Sequence, residues 1–174
     1  NRTGCWLQSL GIEKGDRVAV MFENCPEFIE LYLACSRLGA IFVPVNFRLA
    51  PPELDFTLRN CRPRLFMFGS NFAETVFSLN LNQRRPLMEL ACLGKQSCSS
   101  DVFDYHSGVV EFEGQRPFLT KSLGPADPEE PQVIMYTSGT TGQPKGAVLS
   151  HRKTFFNCLN ADIFFKLHFD DIML

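Results

Sequence analysis

The stretch Tyr136-Thr137-Ser138-Gly139-Thr140-Thr141-Gly142-Gln143-Pro144-Lys145-Gly146 lies between two apolar runs, 132–136 and 147–149. Its composition suits a turn that wraps a polyphosphate. Glycine admits φ > 0, so consecutive backbone N–H groups can converge on an anion. Thr137, Ser138, Thr140 and Thr141 add hydroxyl donors. Lys145 adds a charge-assisted hydrogen bond of about 1.5–3 kcal/mol. Pro144 removes a donor and stiffens the exit of the turn. An ordinary Ser/Gly/Thr turn would match the fixed positions by accident on the order of 10⁻¹¹ per starting point, so chance is a poor account of it.

The stretch is not a Walker A loop, which requires G-x-x-x-x-G-K-[ST]. Counted from Gly139, Pro144 stands where the second glycine belongs, and Gly146-Ala147 follows the lysine. No hydroxyl is therefore available at the metal-binding position of that motif. The failed pattern leaves a P-loop kinase or NTPase as a minor third reading.

Outward from the turn, the chain alternates strand and helix. A short apolar strand is expected over 17–22 after the Gly15-Asp16 turn. Asn24 is read as the cap of a helix with Pro26 in its first turn and Glu27 at the capping-box position. Phe28, Leu31, Tyr32, Cys35 and Leu38 fall on one face of that helix, and Gly39 ends it. A second strand spans 41–45, where Pro44 implies an early end or an edge position. Pro51-Pro52 opens a helix carrying Leu54, Leu58 and Cys61, stopped by Arg62-Pro63, and a third strand covers 65–68. This βαβαβ rhythm predicts an α/β fold, a parallel sheet with flanking helices. Further elements are a helix over 72–79, a strand over 87–93 and a short helix near 101–110. Residues 124–131 read as a solvated internal linker. Ser150 is a plausible N-cap for a helix running to about 167, striped by Phe155, Phe156, Leu159, Ile163 and Phe164.

With 174 residues, 45% hydrophobic and 21% charged, the chain has the composition of a soluble globular protein. A chain of this length buries about 70% of the surface its unfolded form exposes. The net charge of −2 and the lack of any long Lys/Arg run give no reason to expect nucleic acid; Arg84-Arg85 is too short for such a patch. The seventeen phenylalanines imply a thick aromatic core, with an apolar substrate channel as the minor use. The seven cysteines show no C-x-x-C and no zinc spacing. Cys25, Cys35, Cys61 and Cys158 read as small core residues. Cys92 and Cys98 are close enough to suggest a disulfide, but a reducing compartment favours thiols. No apolar run is long enough to span a membrane and no signal peptide is visible. Both ends of the sequence fall inside apparent elements, so 1–174 reads as truncated at both.

The run 136–146 resembles the phosphate-loop signature of the adenylate-forming (AMP-binding) superfamily, which includes acyl-CoA synthetases, aryl-CoA ligases, luciferases and peptide-synthetase adenylation domains. Three further stretches are similar to the N-terminal part of fatty-acyl and aryl CoA ligases: 7–20, Asn24-Cys25-Pro26-Glu27-Phe28, and Arg37-Leu38-Gly39-Ala40-Ile41-Phe42-Val43-Pro44-Val45-Asn46. Where peptide-synthetase domains carry an acidic residue and a Tyr-Pro pair, Asn46-Phe47-Arg48-Leu49-Ala50-Pro51-Pro52-Glu53-Leu54 stands instead, which looks like the acyl-CoA ligase branch. The similarity is thinnest over 70–130.

The resemblance implies an incomplete part of the large N-terminal domain of an adenylate-forming enzyme, with 136–146 as its phosphate-binding loop. It implies a parent ligase that activates a carboxylic acid, a fatty acid on the branch assignment, as an acyl-adenylate with release of pyrophosphate and then passes the acyl group to coenzyme A. Carried over by position, Thr137, Ser138, Thr140 and Thr141 are hydroxyl donors to ATP, Gly139 and Gly142 the backbone cradle, and Lys145 a cation near the leaving pyrophosphate. The cofactors implied are ATP, coenzyme A as co-substrate, and Mg²⁺, whose ligand acid belongs to a segment outside this sequence. No catalytic residue and no metal ligand of the family is matched here, so this piece alone is expected not to turn over. The partners are small molecules, and the setting is cytoplasmic with peripheral membrane association left open. A non-catalytic nucleotide-binding module or truncated relic is the alternative from another class, and an aryl-CoA ligase or other adenylate-forming enzyme the alternative within it. His151, at a helix start, reads as a capping or packing residue rather than a base. His106 and His168 read as surface residues, Asp170-Asp171 as a turn, and the Phe155-Phe156 and Phe164-Phe165 pairs as core.

Overall fold

The computed structural model of the chain describes residues 1–79, 81, 88–94, 101–115, 127–137, 143–166 and 168. Elements follow in the order α1 (Arg2–Ser9), β1 (Arg17–Met21), α2 (Pro26–Leu38), β2 (Ile41–Pro44), α3 (Pro51–Cys61) and β3 (Leu65–Gly69). After a 3₁₀ turn at Ser70–Phe72 come α4 (Ala73–Ser78), β4 (Glu89–Leu93), β5 (Phe103–Asp104) and α5 (Tyr105–Val110). The last three are β6 (Pro131–Thr137), β7 (Lys145–Ser150) and α6 (His151–Phe165). The strands form one sheet in the order β5-β4-β3-β1-β2-β6-β7. All neighbouring pairs are parallel except β6–β7. The parallel α/β fold read from the sequence is present, with an antiparallel edge strand added to it.

Period-2 alternation divides the strand side chains between two cores, because successive residues point to opposite faces. Val18, Val20, Phe42, Leu65 and Met67 pack under α1, α2 and α5, where they meet Trp6, Leu7, Leu31, Cys35, Leu38 and Tyr105. Ala19, Met21, Val43, Phe66 and Phe68 pack under α3 and α4, against Leu54, Leu58, Cys61 and Val76. Both faces of the parallel sheet are thus covered, as parallel sheets require. Pro44 ends β2 early, as read, but β2 is interior, between β1 and β6.

The helix ends follow their sequence signals with some corrections. The N-cap of α2 is Cys25, in extended conformation directly before Pro26, and not Asn24. Gly39 closes α2 at φ 70°, a left-handed conformation open to glycine. Arg62 closes α3 at φ 46° without that freedom, an arrangement costing about 1–2 kcal/mol. Arg17 braces the same turn, donating from Nε to the Cys61 carbonyl at 3.0 Å and from its guanidinium to the Arg62 carbonyl at 2.6 Å. The helix expected near 101–110 begins only at Tyr105. Residues 103–104 pair with β4 instead, and the Asp104 carboxylate caps α5 by accepting from Ser107 N–H at 2.8 Å.

Two burial expectations fail. The aromatic stripe of α6 is exposed, Phe164 at 78%, because no described element packs over it. Cys158, on the same helix, is exposed rather than core. Cys92, buried in β4, is disulfide-bonded. The thiol reading rested on compartment chemistry, whereas bonding depends on proximity. Cys98 lies outside the described residues, as do Arg84-Arg85 and Asp170-Asp171.

Trp6 joins α1 to α5. Its ring meets Tyr105 edge-on at 5.3 Å. The Tyr105 hydroxyl donates to Glu30 Oε2 at 2.6 Å, so the Thr3 hydroxyl, 2.9 Å away, donates to it. Burial, then the bond to Glu30, raises the Tyr105 pKa. A Cβ on Gly108 would collide with Trp6 Nε1 and stand 2.7 Å from Cδ1. Gly108→Ala should therefore displace the ring and cost about 1–3 kcal/mol, the usual range for overpacking. Trp6 is the sole tryptophan, so its fluorescence in a urea titration reads this directly. An unchanged spectrum and midpoint would contradict the packing described.

Candidate functional site

β6 runs parallel to β2, which brings its C-terminal residue Thr137 to the carboxyl edge of the parallel sheet. That edge is where open α/β sheets bind ligands. β7 returns antiparallel, and the register pairs Thr137 with Lys145, Tyr136 with Gly146 and Met135 with Ala147. The proposed polyphosphate stretch is thus the connection of a hairpin, with Thr137 and Lys145 facing each other across its mouth. Both are exposed, and no ion pair engages Lys145 among the described residues. Ser138, Gly139, Thr140, Thr141 and Gly142 lie outside the described residues.

The opposite end of the hairpin is clamped. Lys14 Nζ pairs with Glu130 Oε1 at 2.5 Å, and Arg152 forms an ion pair with Glu129. The backbone N–H of Arg152 donates to the Pro128 carbonyl at 2.8 Å, and that of His151 to the Glu130 carbonyl at 3.2 Å. Residues 127–130, read as part of a solvated linker, are exposed or half-buried yet tied to both flanks. Ser150 caps α6 as read, its hydroxyl accepting from Lys153 N–H at 3.4 Å. His151 is the first residue of α6 and half-buried, in keeping with a packing role. His106 is exposed and lies 3.8 Å from Glu27 Oε1, and His168 is exposed.

Tyr136 had no role assigned from sequence, yet it has the most structured surroundings at the mouth of the hairpin. It packs beside the second core and donates its hydroxyl proton to Asn60 Oδ1 at the end of α3. Burial first, and then the neighbouring Cys61 thiol, pushes its pKa up to about 12. This contact joins residues 76 apart in sequence, and no local pattern announces it. A 570 Å³ cavity lined by Trp6, Phe103, Glu89, Asp104 and Glu111 sits elsewhere, beside the first residue of β4 at the amino edge of the sheet. Its position separates it from the hairpin mouth.

The alkaline behaviour of Tyr136 has a definite sign. The folded protein retains a proton that the unfolded chain loses near pH 10, so this contribution is complete below pH 10 and disappears as pH rises toward 12. Tyr105 titrates in the same direction, so Tyr136→Phe should reduce the decline of stability above pH 10 without abolishing it. Equal slopes for the two proteins in urea titrations between pH 9 and 11.5 would refute the environment assigned to Tyr136.

Comparison with known proteins adds an independent line. A family model described as AMP-binding enzyme matches residues 1–174. The chain is 33% identical over 177 residues to the crotonobetaine/carnitine–CoA ligase of Salmonella arizonae, an alignment covering 100% of this chain and 33% of that protein. Among solved structures, the anthranilate CoA ligase AuaEII in complex with anthranoyl-AMP is similar with a TM-score of 0.75 and 27% identity, over 87% of this chain and 28% of that one. A fatty acyl CoA synthetase of Mycobacterium tuberculosis is similar with a TM-score of 0.64 and 28% identity, over 86% and 27%. The chain spans about a third of the length of the curated relatives it matches.

Proposed function

The chain belongs to the AMP-binding enzyme family, and from that premise we propose that it carries the phosphate grip of an ATP-dependent carboxylate–CoA ligase. The observation that carries the reading is the pairing of Thr137 with Lys145 at the carboxyl edge of the sheet, flanking the glycine- and hydroxyl-rich residues 138–142. In the proposed reaction a carboxylate oxygen attacks the α-phosphorus of ATP. The bond from that phosphorus to the bridging oxygen breaks, giving acyl-adenylate and pyrophosphate. The thiolate of coenzyme A then attacks the acyl carbon, AMP leaves, and a thioester forms.

Adenylyl transfer asks the protein for positioning and charge stabilisation more than for covalent chemistry. Lys145 stabilises charge growing on the departing pyrophosphate, and the Thr137, Ser138, Thr140 and Thr141 hydroxyls with the Gly139 and Gly142 backbone orient the β- and γ-phosphates. Among the described residues no group of three or more His, Cys, Asp or Glu side chains could hold a metal ion such as Mg²⁺. The acid that would hold it belongs, on this reading, to another part of the parent protein. A fatty acid is the proposed substrate, supported by the branch resemblance of 46–54. The relatives named for crotonobetaine, carnitine and anthranilate define the other acids to test. A cytoplasmic setting, with or without peripheral membrane attachment, belongs to the same proposal; no helix among the described residues is long and apolar enough to cross a membrane.

ATP–pyrophosphate exchange by the polypeptide that contains this chain, with a fatty, an aryl and a betaine-type acid, tests the proposal. Exchange with one of them is expected, slowed about ten- to a hundredfold by Lys145→Ala and less by Thr141→Ala. Absence of exchange together with ATP binding would favour a nucleotide-binding module that does not catalyse. Residues 1–174 alone are expected to give no exchange; turnover by them would overturn the view that catalysis needs groups beyond this segment.

A further inference from the structure

We infer that Tyr136 is a positioning residue for the phosphate-binding hairpin, a strut from α3 that fixes where Thr137 and Lys145 stand. The inference rests on the ligase reading for its catalytic consequence, and on geometry alone for its structural one.

The hairpin needs such a strut because of how it joins the sheet. β6 is in register with β2 at a single pair, Val133 opposite Phe42. Beyond Val133 its ladder partner is β7, itself the edge of the described sheet. The half of the hairpin that carries Thr137 and Lys145 therefore projects past the parallel ladder. Clamps at Glu129 and Glu130 hold the far end, several residues away. Near the mouth, the Tyr136 hydroxyl ties the hairpin to the end of α3, donating to Asn60 Oδ1 beside the Cys61 thiol, with which it also interacts.

The anchor point is rigid. Asn60 and Cys61 are the last residues of α3. The turn that follows is held by Arg17 on the Cys61 and Arg62 carbonyls. Leu58 and Cys61 are seated in the second core. A hydroxyl bonded there inherits the position of the whole α3–sheet layer.

Gly146 completes the device. It stands opposite Tyr136 in the register, and a Cβ there would lie 3.2 Å from Tyr136 Cζ and 2.9 Å from Ile134 Cγ2. The tyrosine ring thus lies across the space a side chain at 146 would fill. Alternation sends Ile134, Tyr136 and Gly146 to the α3 side of the hairpin and Thr137 and Lys145 to the other. One face holds the strut while the opposite face presents the donors. The final glycine of the signature is explained by the ring it accommodates, without any contact to phosphate.

Three variants of the polypeptide containing this chain test the strut: Tyr136→Phe, Asn60→Ala and the double variant. Two reactions are measured, ATP–pyrophosphate exchange and thioester formation from preformed acyl-adenylate and coenzyme A, which bypasses the phosphate grip. Each single variant should slow exchange about three- to tenfold, the range expected for one hydrogen bond. The double should be no slower than the worse single, and the bypass reaction should be unaltered. Unchanged exchange, multiplicative effects, or a parallel loss of the bypass reaction, as general destabilisation would give, overturns the inference. A wild-type protein without exchange for any acid would sink the ligase reading instead. In that case amide hydrogen exchange at 136–137 and 145–147 decides the strut: faster in Tyr136→Phe supports it, unchanged refutes it.

Discussion

Burial of a parallel sheet on both faces is the constraint on which the rest of this structure depends. A strand such as β1 reads as a continuous apolar run, Val18 to Met21, because each neighbour goes to a different core. The helices must then lie on both sides, and each crossover must return the chain to the same edge. That geometry gathers the ends of β2 and β6 at one carboxyl edge. The hairpin stands at this edge: its base is clamped to the sheet, and its other end carries Thr137 and Lys145 beyond the parallel ladder.

Much of this was legible. Elements built from local signals appear where the residues say, as with α2 between Pro26 and Gly39 or α6 starting at Ser150. These signals depend on a few adjacent residues and survive without tertiary knowledge. The shift of the α2 cap to Cys25 is a difference of one position, the usual scale of uncertainty at helix ends. Residues 103–104 differ for another reason. They extend because β4 offers a ladder, and a partner strand is invisible to a local reading.

The site divides along the same line. The proposed phosphate grip over 137–145 could be read from residue type, as hydroxyls, glycines and a lysine set close together. The support could not. Asn60 and Cys61 look like the unremarked end of an amphipathic helix until the fold brings them beneath Tyr136. Burial of α6 failed because helical spacing identifies an apolar face without identifying its neighbour. Phe155, Phe156, Leu159 and Ile163 share exposure rather than a core among the described residues.

The outer margin of β7 has a colloidal consequence. It is the last strand of the described sheet; Val148 on it is exposed, as are the phenylalanines of α6, the helix that follows it. An uncovered strand margin presents unpaired N–H and C=O groups that template the addition of another strand. Exposed apolar surface strengthens that tendency. Lys145 puts a charge at one end of the strand, but Gly146, Ala147, Val148 and Leu149 after it carry none. Wherever this margin is left bare, self-association through cross-molecule strand pairing competes with the monomer, and solubility becomes a property of a single strand.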